Sequence, residues 1–263
     1  MCAVSTTAIG LTGVAAALVL IVVAVVLSFW QHLHLERSIV WAATRAAAQL
    51  LLVGSALAIV FALPASTWIA WAWVVAMVVV ASVVVRRRAP EVPGALPLAL
   101  IALGMVATVS MAVVFGLGIF PLEAQAIIPI AGMVIGNSMG ATVVVSRRVV
   151  GELRDKRPEV EARLALGQPW TDASRPYVRE AMRTALLPQI ESTKVVGLIA
   201  LPGAMTGLIL AGVEPRDAVL VQLAIMYLIL GSVATSVTVI GLGLSRRLFT
   251  PDHRLVRLDR AAS

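Results

Sequence analysis

Apolar residues gather along the chain in seven runs: roughly residues 8 to 30, 39 to 62, 67 to 85, 96 to 119, 124 to 145, 195 to 213 and 218 to 244. Each run comes close to the ~20 residues that a helix needs to cross a ~30 Å hydrocarbon layer. A helix also satisfies its own backbone polar groups where water is absent. The pattern predicts an all-α fold, a polytopic transmembrane bundle of about seven spans. The breaks between runs have local causes. Leu63-Pro64-Ala65-Ser66-Thr67 reads as a turn with an N-cap candidate, and Arg86-Arg87-Arg88-Ala89-Pro90 as a charge run followed by a helix breaker. Phe120-Pro121-Leu122-Glu123 and Gly212-Val213-Glu214-Pro215 read as short hairpin turns. The first run follows a polar, uncharged start, Cys2 to Thr7, rather than the basic leader of a cleaved signal, so it is expected to be a retained span.

One long polar interval, 146 to 194, separates runs five and six. Arg147 to Leu166 is helix-like and is closed by Gly167, Gln168 and Pro169. Thr171-Asp172-Ala173-Ser174 then offers caps for a second helix reaching about Leu187. On that helix Arg175, Arg179 and Arg183 recur every four residues, while Val178, Met182, Ala185 and Leu186 line another face. Such a basic amphipathic helix either lies on anionic membrane lipid or docks a partner protein. The acids Glu152, Asp155, Glu159, Glu161, Asp172 and Glu180 in the same interval favour the protein partner. The expected organisation is one transmembrane domain over 1–263. It comprises spans one to five (1–145), a helical hairpin loop (146–194), spans six and seven (195–244) and a tail (245–263).

Composition strengthens the reading of lipid as solvent: of 263 residues 60% are hydrophobic and 13% charged, against about 25% charged in soluble domains. A formal charge of +7 would suggest nucleic acid for a soluble protein. Here the positions decide otherwise. If seven spans alternate, all but Arg216 of the 21 Lys and Arg fall on one side. The positive-inside rule then puts the N-terminus outside, the C-terminus in the cytoplasm, and the long loop with it. The chain is expected to be a multi-pass cell-membrane protein that binds no nucleic acid. Cys2 is the only cysteine, which excludes an internal disulfide and a cysteine zinc site.

Run five reads Ile128-Pro129-Ile130-Ala131-Gly132-Met133-Val134-Ile135-Gly136-Asn137-Ser138-Met139-Gly140, with Gly132, Gly136 and Gly140 on one helical face. Run six repeats the device with Gly203, Gly207 and Ala211. Small residues at this spacing let helix backbones approach closely, within the chain or between copies. Pro129 and Pro202 near the two stripes remove backbone donors and leave carbonyls free to line a cavity, or simply bend the helices. Asn137 and Ser138 sit mid-run, where polar groups normally face protein or a water-filled path. With Met133, Met139, Met205 and Thr206 they form a candidate substrate pathway of amide, hydroxyl and thioether groups, although methionine also serves as plain packing. Arg45, one turn from Gln49, either snorkels to the interface or pairs with Glu191.

No phosphate loop of the form G-x-x-x-x-G-K-[ST], no H-E-x-x-H and no G-x-S-x-G occurs, so no enzyme chemistry is expected of this chain. No Asp or Glu lies mid-run, which argues against a proton pump or an intramembrane protease. His32, His34 and His253 fall in loops, where the first two are either solvent-facing polarity or contacts to a metal.

Three segments carry a resemblance: Arg45-Ala46-Ala47-Ala48-Gln49-Leu50-Leu51-Leu52, the run-five stretch Ile128 to Met139, and Leu201-Pro202-Gly203-Ala204-Met205-Thr206-Gly207-Leu208-Ile209-Leu210-Ala211-Gly212. With these, nearly the whole chain resembles the FetB-type permease family, the membrane subunits of iron-export ABC transporters related to plant aluminium-tolerance permeases. Glu180-Ala181-Met182-Arg183-Thr184-Ala185-Leu186-Leu187-Pro188 is similar to the EAA-type coupling helix of ABC permeases, without its usual glycine. The resemblance implies a homodimer of permease chains with a separate cytoplasmic ATPase subunit that binds ATP. The exported cargo would be iron or a related small solute, with Arg175, Arg179, Glu180 and Arg183 at the coupling surface. An ATP-independent channel or secondary carrier is the alternative, and a membrane-anchored scaffold is a third.

Overall fold

The computed structural model describes residues 11–63, 66–198, 201–250, 252 and 254–256. The expectations for Cys2 to Thr7, the Pro64-Ala65 turn, His253, Arg257 and Arg260 lie outside those residues. The fold is all-helical: α1 (Leu11–Trp30), α2 (Glu36–Ala62), α3 (Ser66–Arg88), α4 (Ala95–Gly116), α5 (Ala124–Asp155), α6 (Arg157–Ala165), α7 (Trp170–Val195), α8 (Gly203–Leu210) and α9 (Pro215–Arg247). Five of these, α2, α3, α4, α5 and α9, are long and apolar enough to cross a membrane, and α1 supplies a shorter apolar stretch, Ala16–Trp30. The chain divides into two compact units, Met1–Pro64 and Ala65–Ser263.

The first unit is a helical hairpin. Its turn is held by Ser28, which is buried, donates to Glu36 Oε1 at 2.8 Å and accepts from the Leu35 amide at 3.2 Å. His32 and His34 bend the chain through left-handed backbone at φ 52° and 56°. Leu50, Leu51 and Leu52 stand exposed on α2, a surface suited to lipid.

The second unit is built round α5, which packs against α3, α4, α7 and α9. Its principal core joins Val145, Val149 and Leu153 of α5, Tyr177, Val178 and Ala181 of α7, and Val233, Val237 and Leu244 of α9. Two contacts bring the basic ends of several helices together. Arg147 of α5 pairs with Glu91 of the α3–α4 turn at 2.8 Å, and Arg247 at the end of α9 donates to the Gly94 carbonyl at 3.4 Å.

The structure differs from expectation in three places, each with a local cause. Span five and the helix expected to start at Arg147 are one 32-residue helix, because nothing between Ser146 and Arg147 breaks it. The break comes at Lys156, because Pro158, in the first turn of α6, has no N–H to give the Arg154 carbonyl and so cannot continue α5. Gly167, at φ 84°, then closes α6 as expected. The following helix starts at Trp170 with Pro169 as its cap, so no side chain of Thr171 to Ser174 caps it, and it runs past Pro188 to Val195. The third difference is span six, expected over 195–213, which is not a continuous helix. α7 ends at Val195, Val196 is extended, Gly197 is left-handed at φ 83°, and helix resumes only after Pro202. Left-handed backbone suits glycine, and the residue preceding a proline resists the helical region. At 8 residues, α8 is about 12 Å long, too short to cross the hydrocarbon layer alone.

Candidate functional site

The pathway residues divide by helix face. On α5, Ser138 is fully buried and Asn137, its neighbour, is exposed. The Asn137 amide donates to the Met133 carbonyl one turn back at 2.7 Å, leaving its own carbonyl oxygen to be offered outward. Met133 and Met139 are half-buried, Met133 against the principal core. The hydroxyls of Ser138 and Thr142, one turn apart on the buried side, have no hydrogen-bond partner, and neither has the side-chain oxygen of buried Gln222 on α9. Gln222 was missed in the sequence because a single amide inside the apolar run 218 to 244 carries little pattern.

Met205 and Thr206 lie on α8, which packs on α9 and not on α5. Thr206 donates to the Pro202 carbonyl at 3.2 Å. The structure therefore does not bring the α8 residues alongside Met133, Asn137 and Met139. Among the described residues the glycine stripes make no tight helix contact. A Cβ added at Gly132 would meet only the Met77 methyl, at 3.7 Å, and one added at Gly136, Gly140, Gly203 or Gly207 would meet nothing within 4 Å. Close approaches occur instead on α9, at Gly241, where an added Cβ would lie 2.6 Å from the Met182 sulfur of α7, and at Gly243, where it would lie 2.5 Å from Leu98 Cδ1 of α4.

The coupling residues of α7 also separate. Arg175 and Arg179, one turn apart, line a groove of about 480 Å³ together with Arg246 of α9, over Val178, Met182 and Leu242. Glu180 and Arg183 are exposed but do not line this groove, Glu180 about a quarter-turn round the helix from Arg179 and Arg183 one turn further along it. The opposite side of α7 is sunk in the core through Tyr177, Val178, Ala181 and Ala185. Through that side α7 packs on both α5 and α9.

A polar cluster holds α6 against α7, and no sequence motif announced it. Tyr177 donates to Glu159 Oε2 at 2.9 Å, Lys156 Nζ reaches Glu159 Oε1 at 3.0 Å, and the Arg163 guanidinium lies 5.7 Å from the centre of the Tyr177 ring. The hydrogen bonds from Lys156 and Tyr177 hold the Glu159 carboxyl below its ordinary range. Burial, then the bond to Glu159, raises the Tyr177 hydroxyl, and Glu159 raises Lys156. Trp170 stacks on Phe249 with ring centres 5.7 Å apart, fastening the start of α7 to the end of α9. Glu191, the sequence candidate for pairing with Arg45, bonds Lys194 of its own helix at 2.8 Å. Among the described residues no three His, Cys, Asp or Glu side chains gather as a metal site, so the two turn histidines have no third ligand there.

Five apolar helices of spanning length define a multi-pass helical membrane protein. The chain belongs to the family described as "Uncharacterised protein family (UPF0014)", whose model matches residues 11–249. It is 37% identical over 228 residues to the UPF0014 membrane protein STAR2 of Oryza sativa subsp. japonica, covering 87% of this chain and 80% of that one. It is 35% identical to the protein ALUMINUM SENSITIVE 3 of Arabidopsis thaliana, over 86% of this chain and 83% of the relative. It is 32% identical to the probable iron export permease protein FetB of Escherichia coli (strain K12), over 92% and 93%. No solved structure matches the chain.

Proposed function

We propose that this chain is the membrane-embedded permease subunit of an ABC transporter, exporting a metal ion such as iron or a related small solute. ATP is bound and hydrolysed by a separate cytoplasmic subunit. The observation that carries the reading is the likeness to the probable iron export permease FetB along nearly the full length of both chains. The grouped basic ends of α3, α5 and α9 support a cytoplasmic position for that end, and hence for the C-terminus. The ATPase docks on the outer face of α7 at Glu180 and Arg183, with Arg175 and Arg179 at its margin, and α7 passes the motion to α5 and α9.

The pathway in this reading follows the exposed face of α5 around Asn137 and the broken segment that precedes Met205 and Thr206. Non-helical backbone at membrane depth must be buried in protein or line a wet cavity, as in transporters with interrupted helices. The open stripe Gly132, Gly136 and Gly140 suits a second permease chain in a homodimer. With no three-ligand acidic or histidine cluster among the described residues, a metal cargo would be met by neutral oxygen and sulfur donors and released readily. The interrupted segment also suits a secondary carrier working without ATP. Purification from the native host in mild detergent tests the two. A stoichiometric ATPase that is lost with Glu180→Ala/Arg183→Ala upholds the ABC reading. A preparation free of ATPase that still transports in vesicles overturns it in favour of the carrier.

A further inference from the structure

Arg175 and Arg179 of α7 and Arg246 of α9 line one groove, and among the described residues none of the three makes an ion pair, whereas Arg147, Arg154, Lys156, Arg157 and Lys194 each hold an acid. Asp172 is the single carboxylate in the lining, so the groove keeps a net positive charge. Its depth in the membrane follows from α9. Between Asp217 and Arg246 that helix carries no charged residue, so Arg246 marks the level at which the apolar span ends.

The groove is also graded along its length. Gly241 lets Met182 lie against α9, and Leu242, 56% exposed, continues the apolar wall along the membrane-spanning side of α9. On α9, Arg246 lies one turn beyond Leu242, past the end of the apolar span, while on α7 Arg175 and Arg179 flank Val178, which lies against Gly241. Three guanidinium groups at the interface, above an exposed apolar strip, match a phosphodiester with an acyl chain attached. Guanidinium forks bind phosphate oxygens bidentately, and basic pockets between spanning helices select anionic headgroups. An acidic protein segment would match the arginines but would not use a strip that runs down toward hydrocarbon.

We propose that this α7–α9 groove is a binding site for one anionic phospholipid, its phosphate held by Arg175, Arg179 and Arg246 and its acyl chain lying along Leu242. The occupant braces α7 against α9 through charges that the protein itself leaves unpaired. The site adds to the transporter reading without depending on it: Arg175 and Arg179 border the proposed ATPase contact, whereas Arg246 on α9 is no part of it, so Arg246→Gln tests the lipid alone.

The test is native mass spectrometry of the full-length protein equilibrated with equimolar phosphatidylglycerol and phosphatidylcholine. The wild type is expected to retain one phosphatidylglycerol per chain in preference to phosphatidylcholine. That preference should fall about five-fold for each arginine removed, in Arg246→Gln and again in Arg175→Gln/Arg179→Gln. Arg246→Gln alters one exposed side chain at a helix end and keeps the test open if the double variant folds poorly. Arg86→Gln/Arg87→Gln/Arg88→Gln, which removes three charges elsewhere, should leave the preference unchanged. Equal retention in groove variants and wild type, or an equal loss in the Arg86 to Arg88 control, overturns the site. Displacement by millimolar inorganic phosphate, or retention of an acidic polypeptide in place of lipid, overturns the lipid assignment. Recovery of the ATPase is scored separately on Glu180 and Arg183, so either idea can fail alone.

Discussion

The hydroxyl of Tyr177 donates to the carboxylate of Glu159 across 2.9 Å, tying α7 to α6 at the end of the bundle where the basic residues gather. Because Tyr177 is also buried in the principal core, this bond orients the helix on which the proposed ATPase contact depends. Tyr177→Phe keeps the ring and removes the bond, and should cost about 1 kcal/mol. A melting curve in detergent measures it, and an unchanged Tm would show that the bond does not hold the layer.

The same cluster sets a pH dependence. The Glu159 carboxyl is held below its ordinary range by Lys156 and Tyr177, so its contribution is full above the unfolded value, about 4.3, and is lost as the pH falls through the lower folded value. Tyr177 and Lys156 are raised, so their share is present below about 10 and is lost as the pH rises further. Glu159→Gln should flatten the acid limb of Tm against pH. An acid limb as steep as that of the wild type would place the sensitivity elsewhere.

Gly241 is the point where α9 admits α7 most closely. Gly241→Ala would put a methyl 2.6 Å from the Met182 sulfur and force that side chain aside, at about 1–3 kcal/mol. Adding Met182→Ala should recover much of the loss. If the pair of changes merely sums, the clash is not the cause.

Ser110 of α4 and Ser232 of α9 share a buried hydrogen bond of 2.8 Å. Polar links of this kind between membrane helices are worth about 0.6 kcal/mol. Ser232 also donates to the Leu228 carbonyl at 2.6 Å, so Ser110→Ala leaves it satisfied. A double-mutant cycle with Ser232→Ala in denaturant should return a coupling of that size, and a zero coupling would leave the pair as neighbours only.

Asn137→Leu removes an exposed amide whose hydrogen bond stays within its own helix, so the fold and Tm should hold. If the exposed face of α5 carries cargo, export from vesicles should fall by up to about ten-fold, the equivalent of one lost hydrogen bond of about 1.4 kcal/mol to the cargo. Export at the wild-type rate would remove Asn137 from the pathway.

The five long helices were legible because each is an unbroken apolar run, and the close of α6 was legible because Gly167 takes a left-handed backbone that other residues resist. The continuity of α5 through Arg147 was not, since a change from apolar to charged side chains marks a change of solvent and does not break the backbone. Span six misled for the opposite reason: the run is apolar throughout, while Gly197 and Pro202 decide its conformation. The Tyr177–Glu159 bond between the consecutive helices α6 and α7, and the meeting of Arg246 with Arg175 and Arg179, were invisible because only the packing of whole helices brings those side chains together.

Composition and periodicity by themselves determined that this is a multi-pass helical membrane protein, because hydrocarbon tolerates little but long apolar helices. Tertiary structure alone decided which faces of those helices meet. It sank the lower side of α7 into the core, parted Asn137 from Ser138, and gathered Arg175, Arg179 and Arg246 around one groove. The reason is physical: in lipid an apolar residue is content on either face, so hydrophobicity sets where a helix runs, and shape, small residues and scarce polar bonds set what it touches.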